Sequence, residues 1–421
     1  MNRYRVLALL VLPVLGACQL DRVTAPTAAG QGASRPALIV VNDEQFLSSR
    51  VQEQGGSAVS VVPTAADGMA ALVGDDTELP FRLLRTIALP EVNGVKLPAT
   101  HVVFYKDFAF VSYAPAGETL VGAIDVFDVK RESSPRLISS ARFGDAKVTT
   151  LAVERGYLYV GTASADPAFA ETPAVVERIP LDSRGRLLGM SRRIAVASHV
   201  VTGIAVAEDR VWVGSGHSAE MPGGLTVIDE DDFKFESFEP LPDVRAVAAS
   251  DEGIVAVLLG SGARMRLYDA ERVRLMDEFA IGGLTQLGHK ATIATEGDWA
   301  FVAAGDSGAV FTRLSVDGRA SGAKRISWGS PAGVAGVAEA DAVTNAVAVS
   351  GSYAYAANGG AGVWVARGNW KDRDGDESPT ITPKGRLDLP GVSVNMVGVK
   401  KNALFVAAGM GGMLILEQPE P

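Results

Sequence analysis

Four histidines, one cysteine and one run of alternating acids are the residues through which this chain could do chemistry. Cys18 is the only thiol, so it can act as a nucleophile or an alkylation site but cannot close an internal disulfide. His101, His199 and His289 could together offer imidazoles to a metal ion. Asp372, Asp374 and Asp376 set oxygen ligands at alternate positions, as calcium loops do. An EF-hand loop wants Gly at the sixth position and Glu at the twelfth, where this chain has Glu377 and Pro383. A solvated acidic turn accounts for the same run, and calcium is the one cofactor that the sequence raises. There is no G-x-S-x-G, no H-E-x-x-H, no P-loop and no G-x-G-x-x-G opening a helix. The expectation is therefore a protein without a catalytic constellation.

The surroundings of Cys18 decide what its thiol is for. Arg3 and Arg5 form a basic start, and Val6 to Val14 is an apolar run of signal-peptide length. The run is too short for a spanning helix, which needs roughly 20 apolar residues. Leu15-Gly16-Ala17-Cys18 resembles the lipobox of bacterial lipoproteins. That resemblance implies a leader over residues 1–17, cleavage before Cys18, and acylation of both the sulfur and the new amino terminus. Several acyl chains hold a membrane stably where one is marginal, at about 0.8 kcal/mol per buried CH₂. Gln19 in place of an Asp implies sorting to the outer membrane of a two-membrane bacterium. Residues 18–36 then read as a tether, because Thr24 to Pro36 is small, polar and broken by Gly and Pro.

The body that follows must be ordered. Hydrophobic residues make up 47% of the chain and charged ones 21%, enough for a core. With 46 glycines and only 7% aromatic residues, many short strands and tight turns are expected. The formal charge is −10, and loss of Arg3 and Arg5 with the leader makes it −12. An acidic chain lacks the basic face that nucleic acid requires, so no nucleic-acid partner is expected. Residues 37–80 form a preamble with two β-branched runs around Asp43 to Gln54, a polar stretch that reads as helical.

From residue 81 to 421 the chain repeats. Asp107, Gly156, Asp209, Gly253, Asp298, Ser352 and Asn402 are turn residues, each just before an apolar strand. Their spacings of 49, 53, 44, 45, 54 and 50 match the period of four-stranded blades. Seven units indicate an all-β, seven-bladed β-propeller. The seventh unit, Val394 to Glu417, lacks a fourth strand. Leu84 to Pro90 matches the fourth strand of unit six, Gly385 to Pro390. The N-terminal piece should therefore complete the last blade and close the ring, since an open end leaves unpaired backbone groups on an edge.

Units such as Gly351 to Ala366 and Asn402 to Leu416 resemble those of the LVIVP-repeat propeller proteins, a family of bacterial surface lipoproteins and exported proteins. The resemblance covers roughly residues 81–417, though units two and four lack the Gly-Gly turn. It implies a binding or scaffolding role and supplies no catalytic residues.

Seven residues before each turn lie Thr100, Thr149, Thr202, Ala246, Ala291, Asn345 and Asn395, where each innermost strand starts. They either ring one mouth of the axial channel as a neutral hydrogen-bonding site or satisfy backbone groups at strand ends. The histidines share no such position: His101, His289 and His199 fall six, nine and ten residues before their turns. The expectation is a monomeric, lipid-anchored module of the bacterial cell envelope that binds another protein or a surface ligand. The rival is an envelope hydrolase or lactonase with an axial metal.

Overall fold

The computed structural model describes residues 37–62, 80–260, 262–283, 290–314, 325–370, 380–389 and 391–418. Seven antiparallel sheets follow one another along the chain, and the innermost strand of each packs against that of the next, the first against the last. This is a seven-bladed β-propeller. Blade one comprises Ala99–Tyr105, Phe108–Tyr113, Gly122–Asp128 and Arg136–Phe143, from the axis outward. The innermost strands of blades two to seven are Ala146–Glu154, Val201–Ala207, Val244–Ala249, Ile293–Glu296, Ala346–Ser350 and Met396–Lys400.

The local sequence sets these hairpins. At Arg155-Gly156 and Glu208-Asp209 both turn residues have positive φ, the geometry that suits a two-residue loop between twisted strands. The second strand of each blade is sandwiched between neighbouring blades, and so reads as an unbroken apolar run rather than an alternating one. Ile254–Leu259, for example, is buried at every position.

Closure occurs as the repeat predicts. Phe81–Ile87 is the fourth strand of blade seven and pairs antiparallel with Met413–Glu417, from Met413 opposite Ile87 to Glu417 opposite Arg82. Gly412 sits at φ +82°, and a Cβ there would lie 2.3 Å from the carbonyl oxygen of Ile87, so the close seam needs glycine. The two ends of the strand serve different cores. Phe81 is buried between blades six and seven, and Ile87 between blades seven and one.

The preamble is a belt. Leu38–Val41 adds a fifth strand to blade one, Val51–Val59 to blade seven and Val61–Val62 to blade six. Of the stretch Asp43 to Gln54, only Glu44–Ser49 is helical, with the Asp43 carboxylate accepting a hydrogen bond from the Phe46 N–H as N-cap. The rest joins a strand, because Phe81–Ile87 offers an edge whose backbone bonds outweigh local helix preference. Glu53, Gln54, Gly55 and Gly56 leave the new edge polar and irregular, with a register shift between Glu53 and Ser57, which discourages further pairing.

Arg50 fastens the belt. Its guanidinium makes a bidentate pair with Asp125 of blade one, both N···O distances 2.7 Å, and donates to the Ala88 carbonyl at 2.9 Å. The Asp125 side chain is fully buried. Burial opposes the arginine's charge, yet the facing Asp125 carboxylate more than offsets this, and the guanidinium titrates above its ordinary range. Leu47 of the short helix completes the attachment, buried in the core between blades seven and one.

Candidate functional site

The starts of the seven inner strands converge on one axial cavity of about 1050 Å³. Thr100, Thr149, Thr202, Ala246, Ala291, Asn345 and Asn395 all line it. In blades one to three the threonine is the extra residue of a β-bulge. Ladder pairing steps from Ala99 to His101, from Val148 to Thr150 and from Val201 to Gly203, skipping Thr100, Thr149 and Thr202. A bulge frees the extra residue from the ladder and re-aims its side chain.

Blade four departs by one residue. Its ladder steps from Val244 to Ala246, so the bulged residue is Arg245 rather than Ala246. The cause is the turn at the far end of the hairpin. Ala249 pairs with Val255 and Ser250 bonds to Ile254, so three residues are looped out where blade one loops out two. Counting back seven from Gly253 therefore stops one residue short of the bulge.

Three of the five polar ring side chains stitch one blade to the next. Thr149 Oγ1 donates to the Val201 carbonyl at 2.6 Å, Asn345 Nδ2 to Val394 at 3.2 Å, and Asn395 Nδ2 to Ala99 at 2.9 Å. Thr100 stays within blade one, bonding Ser112. Thr202 differs: its Oγ1 is buried, and among the described residues it has no hydrogen-bond partner.

Charge enters beside this ring. Lys147, Arg245 and Lys290 line the same cavity with a single carboxylate, Asp243. Asp243 is taken up by Arg245, at 2.5 and 3.0 Å. Lys290 belongs to blade five, yet its ammonium crosses the axis to donate to the Thr100 carbonyl of blade one, and stands 3.4 Å from His101 Nδ1. Burial pushes the Lys290 ammonium down to about 7. Burial, with the nearby Lys290 charge second, holds His101 well below the usual histidine range. Lys147 donates to the Gly117 carbonyl at 2.7 Å, and burial lowers it too.

These cations were absent from the sequence reading, which gave a neutral ring. A signal existed: Arg245 and Lys290 immediately precede the two alanines of the ring, where the other blades carry no charge. His199 also lines the cavity, but among the described residues no three metal-ligating groups come together. Cys18, His289, Asp372, Asp374 and Asp376 lie outside the described residues. Trp370, beside the acidic run, is buried and stands edge-on to Phe301 and Phe311 of blade five, with centroids 5.8 and 6.3 Å away.

No family model matches the chain, and no curated protein is significantly similar to it. Solved structures are similar in fold. The WD40 repeats of RRP9 share 12% identity at a TM-score of 0.55, over 86% of this chain and 99% of theirs. U3-55K shares 12% identity at a TM-score of 0.50, over 78% of this chain and 98% of its own. At these identities the similarity places the chain among β-propellers and carries nothing about activity.

Proposed function

We propose that this protein is a lipid-anchored binding module of a bacterial envelope, with its ligand or partner seated at the cation-bearing end of the axial channel. One observation carries the reading: seven separate blades deliver hydrogen-bonding and cationic side chains to one cavity. A rigid closed ring suits such a role, since it holds the site without ordering cost on binding. The proposal invokes no bond-making step.

The anchoring half rests on the leader and on Cys18. Cys18→Ser should abolish incorporation of labelled palmitate and move the protein from the membrane to the soluble fraction. Label that persists in the variant would remove the anchor from the proposal. The binding half is tested by narrowing the mouth. Ala116 lines the cavity yet is exposed, so Ala116→Trp obstructs the entrance without loading the core. Whatever co-purifies stoichiometrically with the full chain from envelopes, read by native mass spectrometry, should fall at least tenfold in this variant. Equal occupancy in both proteins places the binding surface elsewhere.

A further inference from the structure

Two lysines share the axial cavity without a counter-ion. Neither Lys147 nor Lys290 has a carboxylate within ion-pair distance among the described residues, and the groups they meet there are neutral carbonyls and one imidazole. An ammonium has three donors, and Lys290 directs two of them to Thr100 and His101. The third remains for the cavity. Removing an ammonium from bulk water is costly unless an anion faces it. This placement is not an accident of composition, since the chain as a whole carries a charge of −10. Blade one, which Lys290 reaches, packs directly against blade two, which carries Lys147, so both cations serve the same side of the mouth.

Below the mouth the wall changes character. Val102, Ile204, Val247 and Ile293 line the cavity from four different blades. Its volume of about 1050 Å³ is at the upper end of the roughly 300–1000 Å³ of small-molecule sites. A cationic rim over an apolar shaft is the complement of an amphipathic molecule.

We infer that the axial channel binds an amphipathic organic anion, with its charged head on Lys290 and Lys147 and its apolar body along the channel wall. This inference rests on the proposal above that the axial mouth is the binding site, and names what binds there.

The test is calorimetric titration of the full chain with octanoate, 1-octyl phosphate and 1-octanol, each below its aggregation limit. Saturable one-to-one binding of at least one of the anions is expected, with octanol at least tenfold weaker. Lys290→Met keeps the aliphatic stem and removes the charge, and should weaken anion binding at least tenfold with the melting temperature unchanged or raised. If that variant fails to fold, Lys147→Met gives the same readout from blade two and should cost at least threefold. A preference between the two anions assigns the head group as carboxylate or phosphate. Binding of octanol as tight as that of the anions overturns the inference, as does anion binding indifferent to both lysine variants. If no probe binds while Ala116→Trp still removes a co-purifying species, the ligand class is wrong and the axial site stands.

Discussion

Arg50→Ala should lower the stability of the folded protein by about 3–5 kcal/mol, read as a drop in the urea midpoint. The loss does not come mainly from the pair's attraction, because a buried ion pair is close to neutral against a well-packed apolar substitute. It comes from what is left behind. Asp125 has a fully buried side chain, and its only printed partner is the guanidinium at 2.7 Å, so truncation strands a carboxylate in blade one. The Ala88 carbonyl, at the end of the closing strand, loses its donor at the same time. Removing both charges with Arg50→Met and Asp125→Leu should recover most of the loss, leaving a coupling energy of several kcal/mol in the double-mutant cycle. A drop below about 1 kcal/mol in the single variant contradicts this account.

Phe81→Ala should cost a similar amount, about 3–5 kcal/mol, for a different reason. Phe81 is fully buried and meets Tyr355 edge-on at 6.2 Å, so truncation opens a void between blades six and seven. Collapse into that void is restrained, because the Tyr355 hydroxyl is tied to the Gln418 side chain. The variant should unfold in a single transition at a lower urea concentration. An unchanged midpoint contradicts the assignment of Phe81–Ile87 as a structural part of the last blade.

Much of this architecture is legible in the amino-acid sequence. Turn residues recur because a tight hairpin between twisted strands demands positive φ at one or both central positions, at Lys106, Gly297, Gly351 and Lys401 as at Gly156, Asp209 and Gly253. The match between Leu84 to Pro90 and Gly385 to Pro390 was visible for the same reason, since both strands fill one position in the repeat. The belt was not legible. Val51–Val59 contains Gln, Glu and two glycines, and becomes a strand only because blade seven offers it an edge. Arg50 and Asp125 lie 75 residues apart, and nothing local marks them as partners.

The residues ringing the cavity were legible in position, and the cations beside them were not. Counting back from the turns found Thr100, Thr149 and Thr202 because their hairpins share one loop length. The same count missed Arg245, because the longer turn at Asp251 to Gly253 shifts the register by one. Lys290 escaped because its reach is a matter of three dimensions: only a closed ring brings a blade-five side chain to the Thr100 carbonyl.

The seam of the ring also has a consequence for how the chain is made. Residues 81–87 leave the ribosome long before their inner partner at 413–417. Closing so long a loop is slow, and an unpaired apolar edge invites aggregation meanwhile. The strand at 51–59 is only some thirty residues away and pairs with the opposite side of 81–87. Half of the waiting edge is thus sheltered during synthesis by a neighbour that is already present, and the nascent protein carries its own temporary chaperone into the finished fold.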